Sequence, residues 1–248
     1  MRPRVLVIAG LDPSGRAGLL ADGEAIAASG ALPLLCASAI AAQSSARLVL
    51  AEPISGRALR AQIEGVLEDG PVAAAKTGMI GSREVLEALV EAFAGPLARV
   101  PLVVDPVLST SRGGKLFEGE ADDLWPLLER AVLVTPNLAE ASALSGLELG
   151  DEALMHEAAS RILLRGARSV LIKGGHLAGA PADLLLDASE VRWFRGERIR
   201  AKKRGTGCRL ASAVAAHLAR GEPLARAVEL GIEYVRKYLA RPRVSSPQ

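Results

Sequence analysis

Short apolar runs alternate along the chain with longer segments of helical period, and that alternation predicts a mainly parallel sheet covered by helices on both faces. Strands are predicted at Val5 to Ala9, Leu34 to Ile40, Val72 to Lys76, Leu102 to Asp105, Ala131 to Thr135 and Ser169 to Lys173. Helices are predicted between them, at Ala17 to Ser29, Gly56 to Glu68, Ser82 to Phe93, Ala121 to Arg130, Asn137 to Leu144 and Asp151 to Arg165. From Asp183 to Ile199 two short runs joined by a polar turn read as a hairpin at a sheet edge. Two helices, about Gly205 to Ala219 and Pro223 to Leu239, close the pattern. Without an internal repeat or linker, residues 1–240 read as a single α/β domain and 241–248 as a fraying tail.

Composition narrows the partners. Half of the 248 residues are hydrophobic but only 3% are aromatic, so Ala, Leu and Val fill the core and few rings remain to stack on bases. With 30 basic and 28 acidic groups the formal charge is +2, which argues against nucleic acid or a membrane surface as partner. The basic residues concentrate locally, between Arg192 and Arg204. Two cysteines, Cys36 and Cys208, make neither a disulfide framework nor a metal-type pair, and a reducing, cytoplasmic setting follows. The apolar stretch of "MRPRVLVIAG" is too short for a secretory signal and reads as a first strand. No run approaches the roughly 18 apolar residues of a membrane span.

In parallel sheets ligands bind outside the carboxyl ends of the strands, and each predicted strand here feeds a loop rich in glycine or polar groups. "AGLDPSGRAG" (9–18) lacks GxGxxG spacing, so a dinucleotide loop is disfavoured; it is either an ordinary turn or a flap in which Asp12 closes over a small polar ligand. Gly113, Gly114 and Lys115 do not form a Walker A loop, because position 109 is Ser. "GTGC" is the better phosphate cradle: Gly205, Thr206 and Gly207 let an anion approach the free N–H groups of the following helix. The same field is expected to favour a thiolate at Cys208, whereas Cys36 reads as packing. "VTPNLAEA" is a plain capping box, or Asn137 and Glu140 organise water around Mg²⁺. Lys173 ends one strand where it can neutralise a phosphate, and Asp105 ends another where a carboxylate needs a partner or a role. His156, His176 and His217 show no metal spacing, and His156 and His217 read as helix-surface residues.

Taken in order, "AGLDPSGRAG", "AAQ", "KTGM", "DPV", "TPNLAEA", "KGGH" and "GTGC" make the chain, from about Val5 to Leu239, resemble the hydroxymethylpyrimidine kinase / hydroxymethylpyrimidine phosphate kinase family of the ribokinase-like superfamily. The resemblance implies a three-layer α/β/α sandwich and a homodimer. It also implies ATP- and Mg²⁺-dependent phosphorylation of 4-amino-5-hydroxymethyl-2-methylpyrimidine and its monophosphate, in thiamine biosynthesis. By the same resemblance Gln43 reads the aminopyrimidine edge, Gly10, Ala17, Met79 and Val107 wall the ring, and Asp22 is an acid near the ligand. Lys173 contacts phosphate, Asn137 and Glu140 organise the metal, Gly205 to Gly207 form the anion hole, and Cys208 assists deprotonation of the acceptor hydroxymethyl.

Four features depart from the family pattern. Arg16 replaces a glycine of the flap, Lys202, Lys203 and Arg204 stand where a Thr-His pair preceded by Asn is common, Arg209 replaces a small hydroxyl residue, and "AAQSS" replaces a bulkier stretch. The basic replacements are expected to add positive charge near the phosphates. Two rivals stand beside the kinase reading: a pyridoxal kinase of the same superfamily, and a weakened pyrimidine-binding regulatory protein whose phosphate site is crowded by arginines.

Overall fold

A computed structural model describes residues 1–43, 48–110, 113–175, 180–199, 201 and 203–241. The expectations for His176, Ser44, Ser45 and Lys202, and nearly all of the tail, lie outside these residues. Strands β1 (Arg4–Leu11), β2 (Leu32–Gln43), β3 (Leu48–Pro53), β4 (Ala74–Thr77), β5 (Leu102–Val104), β6 (Leu133–Val134), β7 (Ser169–Ile172), β8 (Ala182–Asp187) and β9 (Val191–Arg195) form one sheet, in the order β3-β2-β1-β4-β5-β6-β7-β8-β9. From β2 to β7 the pairings are parallel; β3 at one edge and the β8–β9 hairpin at the other are antiparallel. The helices are α1 (Gly18–Ala28), α2 (Gly56–Glu68), α3 (Arg83–Ala94), α4 (Trp125–Leu128), α5 (Leu138–Ser145), α6 (Glu152–Leu164), α7 (Thr206–Ala219) and α8 (Leu224–Ala240).

The period of two along β1 builds both cores at once. Leu6 and Ile8 join an apolar layer with Leu59, Leu89, Leu127 and Ile162, from α2, α3, α4 and α6. Val5, Val7 and Ala9 join the opposite layer with Ile26, Val214 and Val228, from α1, α7 and α8. Each fully buried Leu or Val contributes about 1.5–3 kcal/mol against solvent exposure, so strands buried on both faces are favoured although they lack polar alternation. The buried alanines 211, 213, 215 and 216 bring α7 close to its neighbours.

Three expectations change. Leu48–Pro53, left without an element by its pattern, is the edge strand β3, hidden because its Val49 and Leu50 are both exposed and so break inside–outside alternation. The predicted helix from Ala121 to Arg130 is a 3₁₀ turn, Ala121–Leu124, followed by the short α4, with Pro126 inside its first turn. His217 is buried rather than on a helix surface, because α7 lies between α1 and α8; His156 is exposed, as expected.

Candidate active site

The carboxyl ends of the strands carry a row of alternating charges. Lys76, in β4, is fully buried and donates to Asp22 Oδ2 of α1 at 2.8 Å, while Ser212 of α7 donates to Asp22 Oδ1 at 2.8 Å. Asp105, just past β5, accepts from Lys173 Nζ at 2.7 Å and from Thr135 Oγ1 at 3.1 Å, both at Oδ1. Lys173 follows β7 and its backbone N–H bonds Pro136 O, next to Asn137. Parallel pairing thus converts positions far apart in sequence into neighbours along one rim.

α7 begins above this rim. Gly205 has φ +74°, and a Cβ there would overlap the Arg16 carbonyl oxygen, so the turn into α7 both needs left-handed backbone and lies against the flap. A Cβ on Gly207 would lie 3.1 Å from Lys173 Nζ and 3.8 Å from Asp105 Oδ2. The cradle expected from "GTGC" therefore meets the lysine expected to neutralise phosphate. Thr206 opens the helix, and Cys208 is half-buried in its first turn.

The expected Cys208 thiolate is not what this environment favours. Burial pushes the thiol up to about 11; Lys76 opposes this, but the carboxylates of Asp22 and Asp105 add to it. Desolvation and two anions outweigh the helix terminus. Burial works against the charge on Lys76, yet Asp22 and Asp105 hold its affinity for the proton above the ordinary lysine value. Burial likewise raises Glu140 to about 7, with Lys173 opposing and Asp105 reinforcing the shift. Glu140 completes the capping box: its Oε2 accepts from Asn137 N at 2.8 Å, and Asn137 Oδ1 accepts from Glu140 N at 3.0 Å.

A small apolar cluster lies beside the charged row, formed by Ala39, Ala41 and Met79 with Leu48, Ala51, Val107 and Leu116. A Cβ on Gly10 would come within 2.7 Å of Met79 Sδ, so Gly10 is the wall against which that side chain rests. Ala17 is the N-cap of α1. Asp12 is buried in the flap; its Oδ1 accepts from Ser14 N at 2.9 Å and its Oδ2 has no hydrogen-bond partner among the described residues. Gln43, ending β2, accepts a hydrogen bond at Oε1 from Arg204.

Two of the basic replacements, Arg209 and Lys203, are engaged by protein acceptors. Arg209 is buried, with its guanidinium 2.6 Å from Glu24, bonded to the Arg16 carbonyl and lying over the Tyr238 ring at 4.2 Å. Lys203 donates to the carbonyls of Tyr238 and Arg241. Carboxylate, carbonyl and ring acceptors within reach divert these charges. Sequence reasoning missed Lys76, Thr135 and Ser212 as parts of the network. A lysine closing the apolar run "VAAAK" is the same kind of signal as Asp105 closing "LVVD", and identifies Lys76.

Among the described residues no helix is long and apolar enough to cross a membrane, and no group of three or more His, Cys, Asp and Glu side chains could hold a metal by itself. Comparison with known proteins agrees with the architecture. The family model described as phosphomethylpyrimidine kinase matches residues 12–245. A hydroxymethylpyrimidine/phosphomethylpyrimidine kinase of Streptomyces coelicolor is 42% identical over 236 residues, covering 94% of this chain and 87% of the relative. The crystal structure of phosphomethylpyrimidine kinase from Clostridium difficile 630 superposes with a TM-score of 0.83 at 31% identity, covering 96% of this chain and 99% of that one. A pyridoxal kinase from Staphylococcus aureus, in complex with AMP-PCP and pyridoxal, gives a TM-score of 0.85 at 31% identity, with coverage of 95% and 87%. The ribokinase-like sandwich holds, and with the family match running from the flap through α8, this phosphotransferase chain belongs to the phosphomethylpyrimidine kinase family.

Proposed function

We propose that the protein transfers the γ-phosphate of ATP to the hydroxymethyl oxygen of 4-amino-5-hydroxymethyl-2-methylpyrimidine, and then phosphorylates the monophosphate, two steps of thiamine biosynthesis. The observation that carries this reading is the approach of Gly207 to Lys173 and Asp105, next to an apolar cluster with Met79 and Val107.

The chemistry asks for positioning and charge neutralisation more than for a strong base. The ring rests between Met79 and Val107, with Gly10 and Ala17 as further walls and Gln43 reading the amino edge. Backbone N–H groups of Gly205, Thr206 and Gly207, with the Lys173 ammonium, balance charge on the transferring phosphoryl group. With its thiol pushed up to about 11, Cys208 keeps its proton near neutrality. Its sulfur instead accepts the hydrogen bond of the hydroxymethyl O–H and aims an oxygen lone pair at phosphorus; the proton leaves late, onto a phosphate oxygen. Asp22 acts from below by fixing Lys76, both of its oxygens being engaged by protein donors. Asp12, with one buried oxygen unpartnered, supplies an acceptor to the ligand from the flap.

The residues fit Mg²⁺ as co-factor. Glu140 is a buried carboxylate near Asp105, raised to about 7 by burial with Asp105 reinforcing the shift, and Mg²⁺ is commonly held by one or two carboxylates plus phosphates. Glu140, with Asp105 and Asn137 around it, would hold the ion's waters, and the ion when bound would neutralise phosphate charge. A homodimer belongs to the same proposal, and the exposed apolar side chains of Leu20, Leu35, Ile40, Val49 and Leu50 on α1, β2 and β3 support it. Both cysteines being free thiols suits the cytoplasm.

The test is incubation with ATP, Mg²⁺ and hydroxymethylpyrimidine, with pyridoxal in parallel. Mono- and diphosphorylated pyrimidine, formed faster than pyridoxal phosphate, is the expected result; no phosphorylated pyrimidine would overturn the reading. The weakened-binder alternative rests on Arg16, Arg204 and Arg209 crowding the phosphates; the engagement of Arg209 by Glu24 and of Arg204 by Gln43 favours the kinase reading over it.

A further inference from the structure

Arg204 lies immediately before the Gly205–Gly207 turn, yet its guanidinium reaches across 161 positions of sequence to Gln43. An arginine has donors and no acceptor, so the Gln43 atom facing it is the amide oxygen and the orientation of the amide is thereby fixed. The backbone carbonyl of Arg204 is held separately, by Tyr238 O–H at 3.3 Å, so the side chain can be altered without removing that anchor. Arg209 and Lys203, the neighbouring cations, are engaged elsewhere, which leaves this contact as a distinct feature of the loop.

We infer that Arg204 is a specificity-determining positioning residue: by holding the Gln43 amide oxygen it turns the amide N–H₂ toward the substrate as a donor to an acceptor nitrogen of the pyrimidine ring. A charge-assisted bond to the oxygen also polarises the amide and strengthens its N–H donors. Arg204 therefore acts on ring recognition through Gln43, while the adjacent cradle acts on phosphate. The inference rests on the pyrimidine reading of the site.

A double-mutant cycle tests it, with Arg204→Ala, Gln43→Ala and the double variant assayed for KM and kcat toward hydroxymethylpyrimidine. Arg204→Ala is expected to raise the pyrimidine KM by about tenfold, the scale of one charged hydrogen bond, with a smaller change in kcat and none in the KM for ATP. In the Gln43→Ala background the same substitution is expected to add less than twofold. Arg204→Lys should recover part of the loss, since it keeps the charge without the planar fork. Multiplicative KM effects, or a loss confined to kcat or to the KM for ATP, would overturn the inference while leaving the kinase reading intact. A wild-type protein that phosphorylates no pyrimidine would overturn both.

Discussion

Lys173 Nζ lies 2.7 Å from Asp105 Oδ1, although 68 positions separate the two residues in sequence. The ends of β5 and β7 hold this pair beside the Gly207 backbone, joining the proposed phosphate cradle to the sheet. Lys173→Ala removes the cation assigned to the transferring group and leaves Asp105 buried without its hydrogen-bonded lysine. Turnover is expected to fall at least a hundredfold, and stability by about 3 kcal/mol, within the range for breaking a buried pair. Steady-state kinetics and urea denaturation check the two effects; full activity would remove Lys173 from the site.

The second ion pair is deeper. Lys76→Met isolates Asp22 in the interior and is expected to cost about 3–5 kcal/mol, whereas Asp22→Leu combined with Lys76→Met should recover most of that stability, since an apolar pair needs no compensation. Activity should not return with stability, because Cys208 loses Lys76 and Asp22 from its surroundings. Thermal melts and turnover assays on both variants separate the two outcomes.

Cys208 is expected to be a slow nucleophile. With burial holding its thiol at about 11, iodoacetamide at pH 7.5 should modify it more slowly than an unshielded thiol of ordinary pKa about 8.5, as mass spectrometry of the alkylated peptide will show. Cys208→Ala is expected to lower kcat by about 10²-fold, on the scale of losing the contact that orients the reacting oxygen, with pyrimidine affinity within threefold. Cys208→Ser, which retains an acceptor, should lower turnover less, but still more than affinity. Equal losses in turnover and affinity would contradict the role assigned to the sulfur.

Glu140 gives a pH signature. Its folded value of about 7 lies above the ordinary 4.5, so the folded chain binds a proton that the unfolded chain has released across that interval. The stability it contributes is fully present below about 4.5 and is lost as pH rises toward 7. Glu140→Gln keeps a capping acceptor and removes this loss, so at pH 8 the variant should exceed the wild type by about 1–3 kcal/mol, while its turnover falls. Binding of Mg²⁺ and ATP should release protons near pH 7, measurable by calorimetry in buffers of different ionisation enthalpy.

Much of this fold was legible because parallel strands are buried on both faces: runs such as "RVLVIAG" and "SVLI" become strands almost as delimited by their polarity. The edge strand β3 was not, since an edge with exposed Val49 and Leu50 carries no burial pattern to read. The site divides in the same way. Gly205, Gly207, Lys173 and Asp105 announced themselves by following strands or opening a helix. The partners of Arg204 and Arg209 were hidden, because nothing local says that one guanidinium turns to Gln43 and the other to Glu24. Nor could helix position alone give the state of the Cys208 thiol, which depends on carboxylates brought up from α1 and β5.

The most direct test of the central claim is a crystal structure with hydroxymethylpyrimidine and a non-hydrolysable ATP analogue bound. The ring should lie between Met79 and Val107 with its edge on Gln43, and its hydroxymethyl oxygen within hydrogen-bond reach of Cys208 Sγ, facing a γ-phosphate seated on the Gly205–Gly207 turn. Density for the pyrimidine away from Gln43, or for the phosphate away from that turn, would contradict it.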